Sequence, residues 1–209
     1  MSFTTTDKRK RLQGFLQLAS AKEIDSEQIF IVNSVTWEDY EEILEMVSDR
    51  AGISLKYCQG HLEIMSPSNL HEIYKENIGI LLECYFLEKQ IRFYSLGSTT
   101  FRSQSASRGI EPDQSYCLQT RKAFPDLAIE VIVTSGGLDC LEIYRELEVP
   151  EVWFWQQDQL KVYVLENQGY FEVKQSRLFP DLPLELLAAY IPTDEPYDAV
   201  LEFRSKIAN

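Results

Sequence analysis

Two short stretches carry acids in an arrangement suited to metal-assisted phosphodiester hydrolysis. One is Glu111-Pro112-Asp113; the other is Pro125-Asp126-Leu127-Ala128-Ile129-Glu130-Val131-Ile132-Val133. The second is an apolar run of β-branched and aliphatic residues, as expected of a strand buried on both faces. Side chains alternate along a strand, so Asp126, Ala128, Glu130 and Ile132 share one face and Leu127, Ile129 and Val131 the other. An ionised acid in such a strand needs a partner charge, a metal, or a strand end that reaches water. Glu130 therefore demands an explanation. Hydrolysis of a phosphodiester needs a cation that polarises the phosphate and activates water. Mg²⁺ takes carboxylate oxygens and keeps several waters, so two or three acids and a backbone carbonyl suffice. Asp113 and Glu130 lie 17 residues apart, room for a strand, a turn and a return. Asp126 shares the face of Glu130 but sits ~13 Å away along the strand, too far to share one ion.

The elements that must position these acids can be traced along the chain. Thr36 is placed to cap a helix through residue 47, with Glu38 and Asp39 in its first turn and Gly52 beyond its end. Strands follow at 54–58 and 61–65, turning at Gln59-Gly60, and Glu63 on the second is a further candidate metal ligand. Ser66-Pro67-Ser68 breaks the chain before a long helix over 69–89. His71, at its start, is a candidate substrate contact or water-orienting group, with helix capping as the alternative. Strands are expected at 91–96 and 99–102, a polar loop at 103–109, and the acid-bearing strands at 113–118 and 127–133. A helix over 139–148 leads to a buried strand, Val152-Trp153-Phe154-Trp155, whose tryptophans read as core. A hairpin over 161–174 and a helical tail complete the chain. The order fits an α/β class, a central mixed sheet with helices on its faces. Residues 1–30, including Lys8-Arg9-Lys10-Arg11 and the amphipathic Leu12, Phe15 and Leu16, read as a variable arm, and 31–209 as a single domain.

Composition sets outer limits. With 209 residues, 44% hydrophobic, the chain can bury a sizeable core. It has no apolar stretch of membrane-spanning length and no signal-peptide core, and the four scattered cysteines lack zinc or CxxC spacing, so a cytoplasmic protein with reduced thiols is expected. The net charge of −13 argues against a large phosphate-binding face. A local basic patch around Arg102, Arg108, Arg121 and Lys122 is the alternative to ordinary solvated loop charge.

From Val35 to Ile191 the sequence resembles the Uma2-type nuclease family, abundant in cyanobacteria and placed in the PD-(D/E)XK superfamily. The motifs are Gly60-His61-Leu62-Glu63-Ile64-Met65-Ser66-Pro67 with His71-Glu72, then Pro112-Asp113, then Pro125 to Val131. Leu141-Glu142-Ile143-Tyr144-Arg145 and Val149-Pro150-Glu151-Val152-Trp153 complete the series. The resemblance implies a restriction endonuclease-like core, Mg²⁺ with Mn²⁺ as a substitute, DNA as partner and a homodimer. It makes Asp113 and Glu130 the two motif acids. The position two after Glu130, lysine in many PD-(D/E)XK enzymes, is Ile132. The resemblance places the family's lysine on the following helix, four residues before Tyr144, and that position holds Cys140. Neither side chain stabilises a phosphorane as an ammonium does. Three readings stay open: a metal-dependent nuclease impaired at Cys140, a catalytically inactive nuclease fold kept for binding, and an acidic interaction protein without metal.

Overall fold

A computed structural model describes Gly14 and residues 26–47, 52–134 and 137–208. The expected amphipathic segment around Lys8 to Leu16 lies outside the described residues, apart from Gly14. The chain folds into two multi-stranded sheets flanked by helices, a mixed α/β arrangement compatible with the restriction endonuclease-like fold.

The first sheet has the order β1-β3-β2-β6-β5 and is antiparallel throughout. Its strands are β1 (Gln28–Asn33), β2 (Ser54–Cys58), β3 (His61–Ser66), β5 (Phe101–Ser103) and β6 (Arg108–Ile110). β2 and β3 form the expected hairpin. Gln59 and Gly60 both have positive φ, 45° and 88°, the combination that a two-residue primed turn requires. That turn fixes the register, so Lys56 faces Glu63 across the pair. β1 begins inside the segment expected to be an arm ending at residue 30, and β6 begins inside the stretch expected to be a loop and ends one residue beyond it.

The second sheet, order β11-β10-β9-β8-β7-β4, is mixed. β4 (Phe93–Ser95), β7 (Gln114–Leu118), β10 (Gln159–Glu166) and β11 (Gly169–Val173) pair antiparallel with their neighbours. β8 (Leu127–Ile132) and β9 (Glu151–Gln156) run parallel. A parallel pair needs a crossover, and the chain between them contains the short helix α3 (Cys140–Glu146).

Three apolar clusters hold these layers together. α1 (Trp37–Val47) packs Trp37, Tyr40 and Val47 with Leu55, Tyr57, Leu62 and Ile64 of the first sheet. Thr36 and Asp39 cap α1 reciprocally: each backbone N–H donates to the other side chain at 3.1 Å. The long helix α2 (Asn69–Glu88) and the C-terminal helices α4 (Leu184–Tyr190) and α5 (Pro196–Ile207) cover one face of the second sheet. Leu127, Ile129 and Val131 of β8 and both Trp153 and Trp155 of β9 belong to that cluster. The opposite face of β8 places Ala128 in a third cluster, formed with Cys58 and Ile110 of the first sheet and Ile143 and Tyr144 of α3. Glu130 projects on this side, with partners from α3 and from the first sheet. No helix among the described residues is long and apolar enough to cross a membrane.

Candidate functional site

Glu130 is 1% exposed. Its Oε1 accepts a hydrogen bond from the Tyr144 hydroxyl of α3 at 2.5 Å. Its Oε2 lies 3.0 Å from Lys56 Nζ of β2, an ion pair off the hydrogen-bonding axis that leaves Oε2 without an aligned donor. Burial, reinforced by the charge of Asp113, pushes the Glu130 carboxyl up to about 6, against the opposing pull of Lys56 and Tyr144.

Asp113 stands just before β7, its N–H donating to Ile129 O at 3.1 Å. The Val131 N–H donates to its Oδ2 at 2.7 Å, and His71 Nε2 lies 3.0 Å from its Oδ1. Burial works to raise its pKa, but His71 and Lys56 outweigh that and hold the carboxyl below its usual range. The two motif acids therefore lie on β8 and just before its neighbour β7, and sense each other's charge.

His71 enters through helix capping: Ser68 accepts its backbone N–H at 3.2 Å, which sets the ring at the third residue of α2. The ring is 1% exposed. Its Nδ1 lies 2.8 Å from Glu27 Oε1, so the imidazole bridges two carboxylates. Burial disfavours its charge, but bonds to Asp113 and Glu27 prevail and raise its pKa to about 9. It is an imidazolium at neutral pH, enclosed rather than placed on the surface to meet substrate. Glu27, in the presumed arm, also accepts the Thr134 N–H at 2.7 Å and ties the end of β8 to the start of the described chain.

Glu63 accepts the Leu138 N–H at 2.6 Å and lies 3.7 Å from Lys56. It thereby holds the segment leading into α3, and Lys56 stands between it and Glu130. Among the described residues no three His, Cys, Asp or Glu side chains gather as a metal-binding group, so Glu63 does not join Asp113 and Glu130 in a ligand trio. Cys140 opens α3, behind an Asp139 cap that accepts Leu141 and Glu142 N–H groups. Burial raises its thiol well above the ordinary range, with Glu130 and Glu63 adding to this and Lys56 opposing. It is a neutral thiol. A cavity of about 180 Å³ opens beside the cluster, bordered by Glu27, Lys56, Glu63, Gly137, Cys140 and Gln156.

Lys56, like Glu27, carries no local signal in the sequence. Burial opposes its charge, yet Cys140, Glu130, Glu63 and Asp113 together raise its pKa well above normal. Because Cys140 stays protonated, the carboxylates supply the negative charge that Lys56 answers. The hairpin turn was legible, and its register alone would have paired Lys56 with Glu63; the approach to Glu130 depends on how the sheets pack.

The remaining candidates lie elsewhere. Asp126 binds Lys122 and the Leu118 N–H at the start of β8. The four cations considered as a basic patch are each engaged within the fold: Arg102 pairs with Glu41, buried Arg108 with Glu142, Lys122 with Asp126, and Arg121 lies over the Tyr94 ring. Buried Glu151, of the Val-Pro-Glu-Val-Trp motif, accepts from Trp153 Nε1, Ser176 Oγ and the backbone of Arg177 and Leu178, an entirely structural set of contacts.

No curated protein matches the chain. The model of one family, described as "Uma2: Putative restriction endonuclease", matches residues 37–191. That span contains Lys56, Glu63, His71, Asp113, Glu130 and Cys140, and leaves Glu27 outside. With about three quarters of its length matched, the chain belongs to the Uma2 family of restriction endonuclease-like proteins.

Proposed function

We propose that the protein is a Mg²⁺-dependent nuclease that hydrolyses phosphodiester bonds in DNA, with Asp113 and Glu130 as its central acids. The observation that carries this reading is the buried pair itself, Glu130 on β8 and Asp113 just before the adjacent β7, with Glu130 Oε2 lacking an aligned donor. Four buried or half-buried carboxylates (Glu27, Glu63, Asp113, Glu130) face two cations, Lys56 and His71. Two negative charges remain, a balance that suits one divalent ion. Oxygen-only donors favour a hard cation. Mg²⁺ would be held by Asp113 and Glu130, its shell completed by water, and Mn²⁺ accepts the same donors.

Such an ion, when bound, polarises the phosphate and lowers the pKa of water. The chain's own groups prepare the acids. Val131 N–H and Tyr144 OH each fix one oxygen of a carboxylate, leaving lone pairs on the same groups for a further partner. Glu27 and His71 fix the other side of Asp113. The net charge of −13 repels a polyanion, so affinity for DNA must come from the site and its cation. Cutting both strands calls for two such sites, which a homodimer supplies, and four free cysteines agree with a reducing cytoplasm.

Thermal melts with and without Mn²⁺ test the ion directly. Wild type gains RT ln(1 + [L]/Kd), about 2.7 kcal/mol at a hundredfold excess over Kd, and Asp113→Asn loses that gain. Equal responses in the two proteins would remove Asp113 from the site. A wild type that binds DNA but never cuts it would favour the inactive binding module instead.

A further inference from the structure

Within the nuclease reading, a cation must stand where negative charge builds up on the phosphate. Among the described residues at this site, two side chains qualify by charge. His71 is closed off, each ring nitrogen facing a carboxylate and the ring 1% exposed. Lys56 also faces two carboxylates, Glu130 and Glu63, but unlike His71 it reaches a cavity. It touches Glu130 at 3.0 Å, and it borders the cavity together with Glu63, Gly137 and Cys140.

We propose that Lys56, projecting from β2, is the catalytic ammonium of this site, and that position 140 is a second seat facing the same carboxylates. The geometry rests on the packing of β2 against the first turn of α3, where Cys58 and Cys140 share one cluster, so that Lys56, which touches Glu130, and Cys140 border the same cavity. An ammonium can reach Glu130 from the strand or from the helix. This chain uses the strand, and the helix position is left to a small, neutral thiol. Two ammonium groups in one buried seat would repel each other. The helix seat also lies at the positive end of α3, which makes the strand the less strained origin for a cation.

The step assigned to Lys56 is electrostatic. Its Nζ–H groups donate to a non-bridging phosphate oxygen as a water oxygen bonds to phosphorus, giving its proton to solvent water, and the P–O bond to the leaving sugar oxygen breaks, that oxygen taking a proton from solvent water. Lys56 neither gains nor loses a proton.

The test uses the full chain in three forms: wild type, Lys56→Gln, and Lys56→Gln with Cys140→Lys. Plasmid cleavage in Mn²⁺ falls by about 10²–10³ in Lys56→Gln and returns substantially in the double variant. Cys140→Lys alone gives no increase over wild type. A second readout is independent of activity and of metal. Lys56→Gln leaves Glu130 buried without its cation, so the melting temperature drops on the order of 10 °C at pH 8. The other groups facing Glu130 are Asp113 beside β7, Glu63 on β3, and Cys140 and Tyr144 on α3; all are retained in Lys56→Gln. The double variant recovers the loss at pH 8. Should Lys56→Gln cut as well as wild type, or the double variant melt and cut no better than Lys56→Gln, the assignment is wrong. If melts show the exchange while wild type cuts nothing in metal, the ammonium seat stands as an electrostatic partner of Glu130. In that case its catalytic role fails together with the nuclease reading.

Discussion

His71 Nε2 and Asp113 Oδ1 lie 3.0 Å apart in a setting closed to solvent, with Glu27 on the far side of the imidazole. An acid of the candidate centre is thus held by an imidazolium, and that imidazolium is held by a residue outside the family-matched span. The arrangement resembles the outer-shell support that orients metal-binding groups.

Linkage follows from the raised pKa of His71, about 9 folded against about 6.5 unfolded. Stability from this group is complete below pH 6.5 and is lost as pH rises through 9, by at most about 3 kcal/mol. Urea melts between pH 6.5 and 9 should show this decline in wild type and a flatter profile in His71→Gln. Parallel profiles would mean that His71 is neutral in the folded protein.

Tyr144→Phe removes the donor to Glu130 Oε1. It should cost about 1–3 kcal/mol, the usual penalty for stranding a buried acceptor. It should also push Glu130 above its value of about 6, because a bond to the charged form is lost. The acid limb of the pH–rate profile then moves to higher pH, while a purely structural role would lower stability and leave that limb in place.

Gly137 is fixed by its neighbour. A Cβ there would lie 2.5 Å from Glu63 Oε2, which is already held by Leu138 N–H. Gly137→Ala should therefore displace Glu63 and cost about 1–3 kcal/mol as overpacking. Glu63→Asp, one methylene shorter, should lessen the loss when combined with it. Additive losses in the double variant would show that the two residues do not meet.

The sequence announced elements whose signals are local. The apolar run of β8, the Gln59-Gly60 turn, the Thr36 cap and the Ser66-Pro67-Ser68 break before α2 each declare themselves within a few residues, and all are present. β6 did not, because its three residues become a strand by pairing with β2 and β5. Its Gly109 reflects a remote contact: a Cβ there would run into the Tyr40 hydroxyl of α1. The site divides the same way. Asp113 and Glu130 stand out because acids beside an apolar strand violate a local rule. Lys56 and Glu27 meet their partners across 74 and 44 residues of chain, and no local pattern marks that approach. Cys140 drew attention to a missing charge on α3, whereas the cation beside Glu130 comes from the opposite sheet.

The central claim is that Asp113 and Glu130 form a metal-dependent phosphodiesterase centre, and one measurement bears on it most directly. Supercoiled plasmid is incubated with wild type and with Glu130→Gln, each in Mg²⁺, in Mn²⁺ and in chelator, with folding of both proteins checked by circular dichroism. Wild type should nick or linearise the plasmid in either metal and leave it intact in chelator, and folded Glu130→Gln should leave it intact throughout. Cleavage by Glu130→Gln at the wild-type rate, or cleavage by wild type that persists in chelator, would contradict the account.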